Sequence, residues 1–252
     1  MCDEITKTLL IDEPKFNFGQ IRVRNVERGV NYPKVPGYAN IPAWSRGAKP
    51  WCELSPFVIG PLVFEEDGVQ KTAHNFENFW QSFKVYSIVD RQNTPAWRWP
   101  SEVHVEGADK LPNSAWLQWH NALISHEEAV RHPNGRNIPL YAWWQKQKLN
   151  VIEARKEIYI PYLQKLYRAH PVYKRLLQLV ARGQNIIILE PDGPTHQLYP
   201  DGMPVTLVDL YRLQNVIKMS EFPGGHKHSN PNKYIPYGHG YVIALTLLED
   251  LS

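Results

Sequence analysis

Residues 185–190, Asn-Ile-Ile-Ile-Leu-Glu, constrain the fold more than any other stretch. Four consecutive large aliphatic side chains, three of them β-branched, favour an extended backbone. A strand points successive side chains to opposite faces. A strand apolar at every position must therefore be covered on both faces. Pro191-Asp192-Gly193-Pro194 then stops it abruptly. The rest of the chain has to supply neighbouring strands and the layers that cover the sheet.

Helical patterns dominate the second half of the chain. Val151–Arg168 repeats its apolar residues at roughly helical spacing, with Pro161 expected to kink or interrupt it. Pro171 opens a helix over Val172–Ala181, and Gly183 closes it. Thr206 and Asp209 form a capping-box-like start for a helix to about Lys218, and Gly240–Leu251 is a final apolar helix. Tyr141–Lys148 is expected to be helical, and Ser114 to cap a helix over Ala115–Ile124. In the first half, Leu9–Asp12, Gln20–Arg24 and Leu62–Phe64 read as strands, with Asp67-Gly68 as a hairpin turn. Asn31–Ala48, rich in Pro and Gly, and Ser87–Pro112 are expected to be irregular. The class is α+β: one domain at 51–252, a small mixed sheet among helices, an insertion at 86–130, and residues 1–50 as an extension or lid on the same globule.

Composition excludes several classes of function. The 252 residues carry a net charge of only +3, too little for a dedicated nucleic-acid coat. Two cysteines, Cys2 and Cys52, give neither a disulfide framework nor a metal-binding spacing. Met1–Ile5 lacks the features of an export signal, and the longest apolar run, Tyr241–Leu248, is too short to span a bilayer. The expectation is a soluble protein of a reducing, cytoplasmic compartment, or of the nucleus in a eukaryotic host. His226, His228 and His239 lack the further ligands a metal site needs, so neither metal nor cofactor is expected. No nucleophile elbow, P-loop or dinucleotide fingerprint occurs. Trp97, Trp99, Trp116, Trp119, Trp143 and Trp144 serve either core and lid packing or base stacking.

The polar residues worth testing gather at Asn75–Tyr86. Asn75 is a good N-cap, and at 100° per residue Phe76, Phe79, Phe83 and Tyr86 fall on one side. Glu77, Gln81 and Lys84 fall on the other, with Trp80 on the edge between. Such a stripe is either a solvated helix face or the wall of a site. Glu190 and Asp192 lie at the end of the apolar strand, where α/β proteins often place reactive groups; Asp192 reads equally as a turn former. Gly238 and Gly240 flank His239 at a helix start, whose N–H groups suit a phosphate.

Several stretches, in order, resemble the NADAR family of N-glycosidases and ADP-ribose-handling proteins. Leu54-Ser55-Pro56-Phe57, Pro61 and Asp67-Gly68 look like its opening Leu-Ser-Asn-Phe … Pro … Asp-Gly. Glu77-Asn78-Phe79-Trp80-Gln81-Ser82-Phe83-Lys84 is similar to its Glu-His-Tyr-Tyr-Gln-x-x-Lys helix. Gly135-Arg136-Asn137-Ile138-Pro139-Leu140, with Trp143 or Trp144 after it, looks like its Gly-Arg…Pro-Leu…Trp segment. Leu176-Leu177 to Glu190 matches its helix–strand step, and Gly240–Leu251 its closing helix. The chain departs at Pro56, at Asn78 and in Thr195–Val205, where no Trp-Gly segment is recognisable. The resemblance implies a metal-independent N-glycosidase acting on an ADP-ribosylated base or a related (phospho)ribosyl nucleotide. Glu77 is then the carboxylate facing the sugar and Asp192 a second one. Trp80 stacks on the base, Lys84 reaches a phosphate or ribose hydroxyl, Gln81 binds substrate on the same face, and Arg136 clamps phosphate. The competing expectations are a non-catalytic binder of ADP-ribose or a modified base, and a protein that modifies nucleic-acid bases with its Trp-rich insertion.

Overall fold

The computed structural model describes residues 18–26, 34–88, 104, 105, 107, 109–134, 138–191, 204–216 and 237–252. The apolar strand is the middle of a three-stranded parallel sheet. Strand β1 (Ile21–Asn25) runs along one side of it, from Ile21 opposite Ile186 to Asn25 opposite Glu190. Strand β2 (Tyr38–Pro42) runs along the other, from Tyr38 opposite Asn185. Both faces are covered. Ile186 and Ile188 join the main core, while Ile187 and Leu189 pack with Val26 under Val35, Tyr38 and Trp44.

Strand β2 corrects the expectation of loop over Asn31–Ala48. A proline is tolerated at the end of an edge strand, where its missing N–H breaks no ladder, and Pro42 is the last residue of this one. Residues 21–42 thus supply both neighbours of the central strand. The expected strand at Leu9–Asp12 lies outside the described residues.

A hairpin of β3 (Leu62–Glu66) and β4 (Val69–Ala73) follows. Its two-residue turn needs positive φ at both positions, and Asp67 and Gly68 have φ of 50° and 78°. Helix α1 (Phe76–Ser82) is capped by Asn75, whose side chain accepts from the N–H of Asn78. Phe76, Phe79 and Phe83 are fully buried, and Phe64 of β3 meets Phe79 edge-on at 4.8 Å. The helix is shorter than Asn75–Tyr86. Lys84 and Val85 form a short strand, β5, paired with β6 (Tyr141–Trp144), which pairs in turn with β7 (Gln147–Leu149).

That second sheet corrects the helix expected over Tyr141–Lys148. Ala142 and Trp144 enter the main core, whereas Tyr141 and Trp143 join a second cluster with Val85, Tyr86, Trp116, Trp119 and Leu123. The period is two because two cores lie on opposite faces. Gln145 and Lys146 make the turn at φ of 46° and 61°. Helix α2 (Ser114–Ile124) covers the second cluster, and Asn113, one residue before the expected cap, accepts from the N–H groups of Ala115 and Trp116.

The expected long helix is one run in three parts: α3 (Val151–Ala154), a π-helical turn at Arg155–Tyr159, and α4 (Ile160–Ala169). In a regular helix the Pro161 ring would collide with the carbonyl four residues back, at Glu157. The wider turn removes that collision and the chain stays helical. Helix α5 (Pro171–Ala181) ends at Arg182, with Gly183 at φ 90°. Helix α6 (Leu207–Leu213) has the expected Thr206–Asp209 capping box but ends short of Lys218. Helix α7 (His239–Leu251) is buried continuously from His239 to Leu248. It packs on β8 (Asn185–Glu190) and β1 and against α4, α5 and α6. A helix apolar all round needs neighbours all round, and α7 is the centre of the molecule. Among the described residues no helix is long and apolar enough to cross a membrane.

Candidate functional site

The polar stripe of α1 is inside the protein rather than on its surface. Glu77 and Gln81 are 8% and 7% exposed, and Lys84 and Trp80 are half-buried. The amide of Gln81 donates to Glu77 Oε1 at 2.8 Å, and Lys84 Nζ donates to Gln81 Oε1 at 2.8 Å. The ammonium lies 5.0 Å from the centre of the Trp80 ring, and Trp80 meets Tyr159 edge-on at 5.0 Å. Lys84 joins this chain from β5, not from the helix. The turn at Phe83 is tight and the lysine stem long enough to reach back to Gln81.

Burial has electrostatic consequences here. It lowers the Lys84 ammonium to about 8, and the charge of Glu77, acting in the opposite direction, only partly restores it. Burial, and then the negative charge of Glu77, raises the Tyr86 hydroxyl above its ordinary range. The site thus pairs a buried carboxylate with an amine that is poised near neutrality.

Asn78, fully buried, holds the facing loop. Its amide nitrogen donates to the carbonyls of His126 and Glu128, both at 2.8 Å. Its oxygen accepts from the N–H of Val130 at 2.8 Å. Asn75 adds a bond to the carbonyl of Glu127. This places the carbonyl of Arg131 at 3.1 Å from the Gln81 amide, and its guanidinium 5.9 Å from the Phe57 ring centre. In the sequence Asn78 stands out only as a departure from the family pattern. Its four-residue reach across the 126–130 backbone has no local signature.

Glu190, Gly238, His239 and Gly240 meet elsewhere, at the start of α7. Glu190 is fully buried, and its carboxylate accepts from the N–H of Gly240. His239 Nδ1 lies 3.4 Å from the same oxygen, and its Nε2 lies 3.0 Å from the carbonyl of Ala43. A carboxylate favours a helix N-terminus because it answers the positive end of the dipole. The N–H of Gly240, expected to meet a phosphate, already has an acceptor from the chain itself. A Cβ on Gly240 would fall 2.8 Å from Glu190 Oε2, so glycine permits this approach.

Asp192 and Arg136 lie outside the described residues, as do Trp97, Trp99, His226 and His228. Of the remaining tryptophans, Trp116, Trp119 and Trp144 are buried in the cores and Trp143 is half-buried. Among the described residues no three His, Cys, Asp or Glu side chains stand together to hold a metal ion.

One titratable cluster has no counterpart in the sequence reading. Glu66 Oε2 lies 2.5 Å from Lys71 Nζ and 3.0 Å from His120 Nε2, and His120 Nδ1 lies 3.1 Å from the carbonyl of Ser82. The residues come from β3, β4 and α2, and the strand–helix contact that joins them spans 54 positions. No spacing rule finds such a group. Compared with known proteins, the chain matches no family model, no curated protein and no solved structure.

Proposed function

We propose that the protein hydrolyses an N-ribosyl bond, of an ADP-ribosylated base or a related (phospho)ribosyl nucleotide, with Glu77 as its carboxylate. The observation that carries this reading is the buried chain Glu77–Gln81–Lys84 beside the Trp80 ring. Cleavage of such a bond builds positive charge on the sugar. A carboxylate in a low-dielectric wall stabilises that charge, or activates the attacking water, better than one in open solvent. Gln81 fixes the orientation of Glu77. Lys84, with its lowered proton affinity, gives a proton to the departing base or a hydrogen bond to a ribose hydroxyl. Trp80, half-buried beside Lys84, offers its ring to the base.

The test is Glu77→Gln with release of ribose or ADP-ribose followed. Loss of a positioned acid–base group costs about 10²- to 10⁴-fold in rate. Unchanged turnover removes Glu77 from the chemistry.

A second reading, capture of ADP-ribose or a modified base without cleavage, is favoured by Asn78. The resembling family has histidine there, and here the position is spent on holding the 126–130 backbone. Calorimetry separates the two: tight binding of ADP-ribose with no product over hours selects the binder. Within the insertion, Trp119 is packed inside and is not placed to stack on a base.

A further inference from the structure

We propose that the groove between the β3–β4 hairpin and α2 binds a planar heterocycle that carries an amino group, such as a nucleobase. The groove is an open concavity of about 490 Å³, a volume within the range of small-molecule sites. Trp143, half-buried, forms one wall. Leu111, Leu117 and Val69 form the rim, 65%, 48% and 57% exposed. Large aliphatic side chains left this open around a concavity are placed to cover an apolar ligand.

The charges narrow the choice of ligand. The four charged groups lining the groove make two opposed pairs, Glu66 with Lys71 at 2.5 Å and Asp67 with Lys146 at 3.9 Å. The lining has no net charge, so it favours neither a phosphate nor a cation. What it offers is an aromatic face and two carboxylates, Asp67 largely in solvent and Glu66 the more buried and so the stronger acceptor. Lys71 and His120 both sit on Glu66 Oε2, which leaves Oε1 to meet a donor in the groove. Burial alone would raise the Glu66 carboxyl, but His120 and Lys71 outweigh it and hold the group below its ordinary range. An ionised oxygen beside an indole suits a flat ring with an exocyclic amino group.

This inference does not rest on the glycosidase reading. The groove backs onto β5, where Trp116 Nε1 donates to the carbonyl of Lys84 at 3.3 Å, but it shares no lining residue with the Glu77 stripe.

The experiment is calorimetric titration of the full chain with guanosine, inosine, cytidine and uridine. Guanosine is expected to bind about tenfold or more tightly than inosine, and cytidine than uridine, because only the first of each pair carries the amino donor. Glu66→Gln is expected to remove that preference, and Leu117→Trp, at an exposed position, to block the groove without disturbing the core. Glu77→Gln is expected to leave the guanosine-over-inosine and cytidine-over-uridine preferences in place even where it stops hydrolysis. A short guanine-containing single strand binding more tightly than guanosine assigns the groove to nucleic acid, and equal or weaker binding to the free nucleoside. Equal affinities within both pairs, no binding at millimolar nucleoside, or full binding by Leu117→Trp each overturns the proposal.

Discussion

Replacing Asn78 with alanine tests the loop staple directly. The side chain is fully buried and makes three hydrogen bonds to backbone, each at 2.8 Å. Alanine leaves the N–H of Val130 without an acceptor in a buried site, which costs about 1–3 kcal/mol. It also removes two bonds to the carbonyls of His126 and Glu128, each worth about 0.5–1.5 kcal/mol net. The expected loss is about 4 kcal/mol, a large part of the stability of an ordinary domain. For a chain of this size that corresponds to a fall of about 10 °C in the melting temperature. Urea denaturation reads the free energy, and an unchanged slope establishes that the native fold is what lost stability. Asn78→Asp is the discriminating partner. It keeps an acceptor for Val130 but turns a second negative oxygen toward two carbonyls, so it is expected to be no better than alanine. A loss below about 1 kcal/mol for alanine, or a wild-type melt for aspartate, refutes the argument.

Three further outcomes are expected. Gly240→Ala puts a methyl group 2.8 Å from Glu190 Oε2 and 3.0 Å from Glu190 Cβ, and should cost about 1–3 kcal/mol in a melt by overpacking. His104 has both ring nitrogens buried without a hydrogen-bond partner, and burial lowers its imidazole to about 4. The unfolded chain then binds the extra proton first, so stability falls as pH drops from about 6.5 toward 4. His104→Phe should flatten that limb in urea titrations at pH 4.5 and 7, and an unchanged limb counts against the assignment. The Lys84 ammonium is lowered to about 8. Here too the unfolded state holds more protons, between about pH 8 and 10.5, so stability rises with pH across that window. Lys84→Met should lack the rise, which melting curves at pH 8 and 9.5 would reveal.

Much of the candidate stripe was legible from spacing alone. Glu77 and Gln81 are four residues apart and hydrogen-bonded as an i, i+4 pair. Their burial was not legible, because it depends on the loop 126–131 that Asn78 holds 48 to 52 positions away. The cluster of Glu66, Lys71 and His120 was invisible for the same reason. A carboxylate in an alternating strand reads as a solvated one until the helix that covers it is in place.

Elements whose stability is local could be read from residue types. The Asn75 cap, the Asp67–Gly68 turn, the Thr206–Asp209 box and the Gly183 stop each rest on a side chain or φ preference acting within four residues. The central strand could be read because four aliphatic residues in a row suit one environment only. Tertiary structure decided the rest. Tyr141–Leu149 is a hairpin because Lys84 and Val85 pair with it and two separate cores take its alternate side chains. Tyr38–Pro42 is a strand because β8 offers it a ladder from 147 residues away. Short extended segments have little preference of their own, and the partner that fixes them is brought near only when the whole chain closes.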